Sequence, residues 1–315
     1  VEGCTFRNNR AYNGGGIYLY NATMSNCLLI GNAARQCGGG VTLQREAVVR
    51  NCEIRENSSD NFAAGVQFTQ GGTVQDSLIS GNSASVYGGG LHAYLTGSVV
   101  RCYVVSNRAS YGAGVMLEDG GAVSNCLVYA NVAWGDDGGG VYFDLDAGYT
   151  TWGVVESSTL VKNWAYYDGG GIYFNGAGVV LNTIIFSNYA DNGYSYAGSG
   201  GAITYSCYES SIAPSGTGNI TNQPRFLIPS DANFRLSTNS PCIDMGTNQP
   251  WMASGVDIDC SPRIGGVSVP GTEEPVAGLA EAEAAAQAVG YPVLLKPAAG
   301  GGGKGMRLVS GPEEL

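Results

Sequence analysis

Apolar residues recur in short alternating stretches along the first two-thirds of the chain. Each stretch follows a triplet of small residues such as "GGG", "AAG" or "GGA". The position after the triplet is apolar in eight places, namely Ile17, Val41, Val66, Leu91, Val115, Val141, Ile172 and Ile203. Two positions further on lie Leu19, Leu43, Phe68, Ala93, Leu117, Phe143, Phe174 and Tyr205. Because a period of two places side chains on one face of an extended strand, the pattern predicts a strand after every triplet.

A second pattern, a Cys, Ser or Thr followed five positions later by Asn, occurs eight times at spacings of about 25 residues. Its asparagines are Asn9, Asn32, Asn57, Asn82, Asn107, Asn131, Asn163 and Asn188. A further apolar column consists of Met24, Val49, Val74, Val99, Val123, Val155 and Val180. We therefore predict three short strands per repeat and an all-β fold, a right-handed parallel β-helix of about eight coils.

The repeated small and polar positions have structural explanations. In coils stacked about 4.8 Å apart, each Asn amide is expected to bond the Asn amides of the neighbouring coils, while the glycines allow tight corners. Five cysteines share a column with Ser77, Ser158 and Thr183, namely Cys4, Cys27, Cys52, Cys102 and Cys126. This favours reduced core thiols over disulfides. Cys242 and Cys260 remain a candidate pair near the end of the solenoid.

Composition and net charge limit the classes of partner that the chain is expected to bind. The chain has 50 glycines, 13% charged residues and a net charge of −11, so a nucleic-acid partner is not expected. No apolar run is long enough to span a membrane. The start, "VEGCTFRNN", carries no leader sequence and lies inside a repeat, so we expect the chain to be a fragment. We expect a monomer.

Two coils depart from the period and suggest where a binding face lies. The sixth is 32 residues long and contains "DLDAGYTTWG", and the eighth contains the long stretch "NYADNGYSYAGSGGA". Because insertions in neighbouring repeats tend to share the binding face, the outward positions beside them are candidates for binding a polysaccharide or cell-surface glycan. These candidates are Tyr142, Asp144, Tyr173 and Asn175.

Asp137 and Asp168 precede the glycine triplets of adjacent coils, which places them about 5 Å apart. Three interpretations stay open. The two carboxylates are catalytic in a glycosidase or lyase, they bind calcium together with Asp136, or they cap solvated turns. His92, the single histidine, lies on the same outward stripe and is expected to be a solvated strand residue.

The segment 219-266 contains "NQPRF", "FRLSTNSPCIDMG" and "DIDCSPRIGG". With the repeats of 1-218, it resembles secreted bacterial β-helix proteins of the choice-of-anchor Q type, and the repeats are also similar to those of polymorphic outer-membrane proteins. The resemblance implies a secreted or cell-surface structural, adhesive or carbohydrate-binding module without a resident cofactor, calcium excepted. A β-helix polysaccharide lyase or glycoside hydrolase is the alternative.

Residues 267-315 read differently. Ala280 to Val289 predicts a helix, Val293 to Lys296 a strand, and "AAGGGGKGM" a glycine loop. The stretch resembles the start of the ATP-grasp region of biotin carboxylases, which implies ATP and magnesium and a cytoplasmic setting. By that resemblance ATP phosphates contact Lys296, Gly300, Gly301, Gly302, Gly303, Lys304 and Gly305.

The two resemblances imply different compartments. We therefore predict an incomplete, inactive α/β ATP-grasp fragment joined to the β-helix, and our hypothesis is a chimeric reading frame. A natural fusion with an ATP-dependent biotin carboxylase is the alternative.

Overall fold

The computed structural model describes residues 1–146, 148–191, 193–209, 216–253 and 255–259, together with residues 283, 287, 293–295 and 307–309. By its internal contacts the chain divides into Val1–Thr247 and Asn248–Leu315. This division falls within the segment 219-266 that the sequence analysis sets apart. The domain limits given there remain predictions.

The unit Val1–Thr247 is a parallel β-solenoid, which confirms the predicted fold class. Four sheets run along it, and each coil adds one strand to each sheet. The first sheet comprises Thr5–Arg7, Leu28–Ile30, Glu53–Arg55, Leu78–Ser80, Tyr103–Val105, Leu127–Tyr129, Thr159–Val161, Ile184–Phe186 and Cys207–Tyr208. The second comprises Arg10–Asn13, Ala33–Cys37, Ser58–Ser59, Ser83–Ala84, Arg108–Ala109, Val132–Ala133, Trp164–Ala165 and Tyr189–Ala190.

The other two sheets carry the apolar columns seen in the sequence. The third comprises Ile17–Tyr20, Val41–Gln44, Val66–Gln70, Leu91–Tyr94, Val115–Glu118, Val141–Asp144, Ile172–Asn175 and Tyr196–Ser199. The fourth comprises Thr23–Ser25, Val48–Arg50, Thr73–Gln75, Ser98–Val100, Ala122–Ser124, Gly153–Glu156, Gly178–Leu181 and Ala202–Thr204. The described part of the chain therefore has four strands per coil, and the prediction of three is wrong. The second-sheet strands are mostly two residues long, too short to produce an alternating pattern.

The prediction for the eighth coil is also wrong. Tyr196, not Ile203, pairs with Ile172 in the third sheet, and Ile203 pairs with Val180 in the fourth. The third-sheet strand of this coil thus begins in "YSY". The later "GGA" triplet lies at the turn between the third-sheet and fourth-sheet strands. The eighth coil has ordinary length here, whereas the insertion of the sixth coil does lie between Asp144 and Gly153.

The core consists of rows of like side chains, one residue per coil. Val41, Val66 and Leu91 occupy one row in register, and all three are buried. In the next inward row, two positions further along each strand, Phe143 and Phe174 stack with ring centroids 4.7 Å apart. This burial is the main stabilising term of a solenoid, because each coil covers the apolar face of the next.

The Asn column forms the predicted ladder. Asn82 donates both its backbone N–H and its Nδ2 to Oδ1 of Asn107, at 3.0 Å each, and the same pair of bonds recurs at every step from Asn9 to Asn188. The third glycine of the triplet makes room for this ladder. A Cβ at Gly140, for example, would lie 2.5 Å from the carbonyl oxygen of Gly171 and 3.1 Å from Nδ2 of Asn163.

The column of small residues is a second, weaker ladder. Cys27 N donates to Cys52 Sγ at 3.4 Å, and Cys52 N donates to Ser77 Oγ at 3.0 Å. The described cysteines are free thiols, and those of this column are buried except Cys4. Cys260 lies outside the described residues. Cys242 instead hydrogen-bonds Cys207, which lowers the pKa of Cys242 to about 7.

Six short elements follow the last coil in the described part of the chain. Phe226–Ile228 and Asn233–Leu236 form an antiparallel pair around the 3-10 turn Pro229–Asp231. In the second unit, Pro250–Ala253 is a 3-10 turn. Val293–Leu295, the predicted strand, pairs antiparallel with Arg307–Val309. Residues 283 and 287 are helical, while the rest of the predicted helix lies outside the described residues. None of the described helices is both long and apolar enough to cross a bilayer.

Replacing Asn107 by Ala is expected to lower the free energy of unfolding by about 3 kcal/mol or more. The change leaves Asn82 N–H, Asn82 Nδ2 and the Ile79 carbonyl without their partners in the interior. Urea unfolding followed by circular dichroism measures the effect. Asn13→Ala, at an exposed position outside the ladder, is the control. Equal midpoints for the two variants would contradict a structural role for the ladder.

Candidate functional site

The outward face of the third sheet is largely covered rather than exposed. Phe62, Tyr87 and Tyr111, from the turns between the second and third sheets, form a stack along the solenoid. The Phe62 ring lies 5.4 Å from the His92 ring, and the Tyr111 ring meets Tyr142 edge-on at 5.8 Å. The turn aromatics therefore shield the strand residues that the sequence places outside.

His92 is consequently buried, and its prediction as a solvated residue is wrong. Its side chain is 3% exposed. Nδ1 lies 3.1 Å from Oε1 of Gln67, and Nε2 lies 2.7 Å from Oε2 of Glu118. Gln67 is oriented by donating its Nε2 to the Phe68 carbonyl. Both ring nitrogens thus lie within hydrogen-bonding distance of a polar side chain from a neighbouring coil.

The four predicted glycan-binding residues form two contacting pairs. Tyr142 and Tyr173 stack at 5.1 Å, and Asn175 Nδ2 donates to Asp144 Oδ1 at 2.8 Å. Tyr142 is buried, so it cannot offer a ring face to a sugar, whereas Asn175 is exposed and the other two are half-buried. Burial raises the pKa of Asp144, an effect that the Asn175 amide opposes.

Asp137 and Asp168 are neighbours on adjacent coils, as predicted. Asp137 Oδ1 accepts the backbone N–H of Asp168 at 2.8 Å, so this carboxylate caps the next turn. Burial raises the pKa of Asp137 to about 6, the Asp168 amide opposes this shift, and the neighbouring charges of Asp136 and Asp168 add to it. Asp136 hydrogen-bonds Tyr111 and raises the pKa of that phenol to about 12.

Calcium binding by Asp136, Asp137 and Asp168 stays one of the open interpretations. Among the described residues, the carboxylates of Asp136, Asp137 and Asp168 do not form a group of three with oxygens within metal-binding distance. One oxygen of Asp137 and the Asp136 side chain are engaged in the turn contacts described above.

A cluster of aromatic side chains, four exposed and one half-buried, lies on coils six to eight, and sequence reasoning missed it. This aromatic patch consists of Trp134, Trp164, Tyr166, Tyr167 and Tyr189. Trp164 pairs with Tyr189 across adjacent strands, and the Tyr166 and Tyr167 rings meet edge-on at 4.9 Å. Trp134 is 43% exposed and Tyr189 is 61% exposed. Exposed apolar patches on this scale mark interaction surfaces.

The patch had a sequence signal. In the later coils the residues around the small position after Asn become aromatic, in "NVAW", "NWAYY" and "NYA", where coils two to five carry small or charged residues and the first coil carries Tyr12. Carboxylates border it. Trp164 Nε1 donates to Asp191 Oδ1 at 3.1 Å, and Arg108 lies over the Trp134 ring at 5.8 Å. Aromatic faces and hydrogen-bonding groups therefore alternate across this surface.

The predicted ATP contacts lie outside the described residues, namely Lys296, Gly300, Gly301, Gly302, Gly303, Lys304 and Gly305. The strands Val293–Leu295 and Arg307–Val309 stand on either side of them in the sequence. Their role therefore stays a prediction.

Comparison with known proteins gives two separate matches. Residues 1–109 match the family model "Right handed beta helix region", and residues 259–315 match "Carbamoyl-phosphate synthase L chain, ATP binding domain". The resemblance of the two parts to right-handed β-helix proteins and to biotin carboxylases is thus confirmed. The finer resemblance to choice-of-anchor Q proteins stays a prediction.

The similar curated proteins are carboxylases. Mitochondrial pyruvate carboxylase of Mus musculus is 49% identical over 85 residues, which is 27% of this chain and 7% of that protein. The 2-oxoglutarate carboxylase small subunit of Hydrogenobacter thermophilus is 47% identical over 53 residues, 17% of this chain and 11% of that protein. Biotin carboxylase of Nostoc sp. is 48% identical over 53 residues, 17% of this chain and 12% of that protein. The chain thus spans a small part of these relatives, and no solved structure matches it.

Asp137→Asn should stabilise the solenoid near neutral pH but not in acid. The folded-state pKa of Asp137, about 6, exceeds the unfolded value of 3.8. Stability from its protonation is therefore present below about pH 4 and is lost as the pH rises towards about 6. The Asn variant keeps the acceptor oxygen without the charge.

Melting temperatures across this pH range measure the effect, with the exposed Asp60→Asn as control. We expect the difference between Asp137→Asn and the wild type to grow with pH. A difference independent of pH would show that the carboxylate titrates normally.

Proposed function

We propose that the solenoid is a non-catalytic carbohydrate-binding or adhesive module of a secreted or cell-surface protein, and that sugar rings stack on the aromatic patch. The observation that carries the proposal is a group of five aromatic residues on adjacent coils, four of them exposed and one, Trp164, half-buried. Resemblance to exported β-helix proteins supports the setting.

The chemistry of the patch suits sugars. Tyr and Trp combine a large apolar face with a polar tip, so they pack on the C–H face of a sugar while neighbouring groups bond its hydroxyls. Asp191 and Asp168 lie close to the patch in the sequence and offer acceptors. A net charge of −11 disfavours highly acidic polymers and favours neutral glycans.

The solenoid also provides a rigid support. Trp164 and Tyr189 lie on two-residue strands whose neighbours, Ala165 and Ala190, are buried and in register. Because the strands are fixed by ladder bonds, little backbone entropy is lost when a ligand binds.

A second candidate function is hydrolysis or elimination at a polysaccharide, with Asp137 as general acid. The raised pKa of Asp137, about 6, favours it, because a general acid must be protonated near the working pH. Asp168 would be its partner carboxylate. The hydrogen bond from Asp168 N–H to Asp137 Oδ1 is the argument for the capping role instead.

The carboxylase-like residues 259–315 suggest ATP and magnesium as ligands of a larger protein. We propose that these 315 residues by themselves do not carboxylate a substrate. Phosphoryl transfer requires metal ligands and phosphate contacts positioned together, and the matched segment spans 7% of the mouse relative. A fusion with an ATP-dependent biotin carboxylase remains the alternative.

Calorimetric titration with neutral and acidic oligosaccharides tests the binding proposal. We expect Tyr189→Ala and Trp134→Ala each to weaken binding about tenfold, the loss of one stacked ring. Tyr12→Ala, at a 64% exposed tyrosine in the first coil, is the matched control and should bind normally. Binding that is unaffected by the patch variants, or absent for every glycan, would exclude the patch as a glycan site.

Reducing-end and unsaturated-product assays on the same glycans separate binding from catalysis. The proposal expects no turnover. Turnover by the wild type that disappears in Asp137→Asn would contradict the non-catalytic proposal and support the polysaccharide-degrading enzyme.

Titration with Mg-ATP tests the C-terminal segment. For this chain we expect no saturable binding and no ATP hydrolysis. Saturable binding that Lys296→Ala weakens about tenfold would instead support the ATP-binding alternative, because one charge-assisted phosphate contact is worth about that much. Lys162→Ala, in the solenoid, is the control.

A further inference from the structure

A second acidic group, distinct from Asp136, Asp137 and Asp168, lies where the sixth-coil insertion begins, beside the end of the fifth-coil strand Val115–Glu118. Carboxylate oxygens of Glu118, Asp119 and Asp146 all lie within 4.8 Å of one another. Two ligands of one calcium ion, each at about 2.4 Å, are separated by at most about 4.8 Å. The three oxygens are therefore close enough to share one ion.

Asp119 provides an independent indication of a ligand. Its side chain is 1% exposed, and Oδ2 is buried with no hydrogen-bond partner among the residues that the structure describes. A buried carboxylate oxygen without a donor is costly unless a charge neutralises it. A cation bound between the three carboxylates supplies that charge.

The backbone holds Asp119 in place. Its φ is +57°, a left-handed conformation that Asp tolerates, and its N–H donates to the Asp144 carbonyl at 2.9 Å. Oδ1 accepts the N–H of Asp146 at 2.8 Å. Asp119 thus already bonds the first residues of the insertion, with its second oxygen left for a ligand.

Glu118 has the supporting contact that metal-binding carboxylates commonly have. Its Oε2 lies 2.7 Å from His92 Nε2, and His92 is fixed by Gln67 on its other side. Among the described ion pairs, only the His92 contact involves this group, so neither Asp119 nor Asp146 has a basic partner there. A divalent cation balances their charges.

We propose that Glu118, Asp119 and Asp146 bind a calcium ion that fastens the sixth-coil insertion to the fifth coil. Calcium is the choice because it accepts several carboxylates in irregular geometry, whereas magnesium retains most of its waters and takes one or two. Two further contacts of the insertion involve Tyr149. Tyr149 N–H donates to the Asp146 carbonyl at 3.2 Å, and its side chain bonds Tyr94.

Calcium titration of the 315-residue chain, after dialysis against a chelator, tests the site. With calcium in about hundredfold excess over its Kd, the melting temperature should rise by roughly 5 °C. Hydrogen exchange at residues 148–152 should slow, because the insertion is then held at Asp146. Magnesium at the same concentration should produce a much smaller change.

Asp119→Asn should abolish both responses, and Asp60→Asn should keep them. Without calcium, Asp119→Asn should melt at or above the wild-type temperature, since charge repulsion is removed, which shows that the variant folds. No calcium response in the wild type, an unchanged response in Asp119→Asn, or an equal response to magnesium would each overturn the proposal.

Discussion

The structure depends on the stacking of chemically equivalent residues from coil to coil, and the asparagine ladder is its clearest example. Every Asn Oδ1 along the ladder accepts two bonds from the preceding coil, so each step fixes the register of the next. The apolar rows then bury themselves in register. Because the ladder is continuous, the outer positions form continuous stripes as well, and a change of residue type along a stripe defines a local surface.

The change of residue type along the outer stripe distinguishes the later coils as the candidate binding region. Apart from Tyr12, the second-sheet stripe carries small or charged residues in the early coils and becomes aromatic in coils six to eight, and these later coils also carry the insertion and the acidic residues. The run of aromatic residues on adjacent coils and the insertion thus lie towards one end of a uniform scaffold. A rigid repeat that presents an irregular surface is typical of solenoids that bind extended ligands.

The sequence predicts the repeating interior well and the irregular surface poorly. Inward positions face the same environment in every coil, so Val66 and Asn82 could be assigned from period alone. His92 and Tyr142 could not, because the residues that cover them, such as Phe62 and Tyr111, come from turns and act across coils. Ile203 was assigned to the wrong sheet because the triplet before it has the same small-residue composition as the triplets that precede the third-sheet strands. Asp119 gave no periodic signal, since its burial depends on the insertion.

Hydroxyl-radical footprinting with and without a bound neutral glycan tests the central claim, that the aromatic patch receives carbohydrate, most directly. The account predicts reduced oxidation of Trp134, Tyr166 and Tyr189 in the complex, with Tyr12 and Tyr18 unchanged. Protection confined to another face of the solenoid, or none at all on binding, would contradict it.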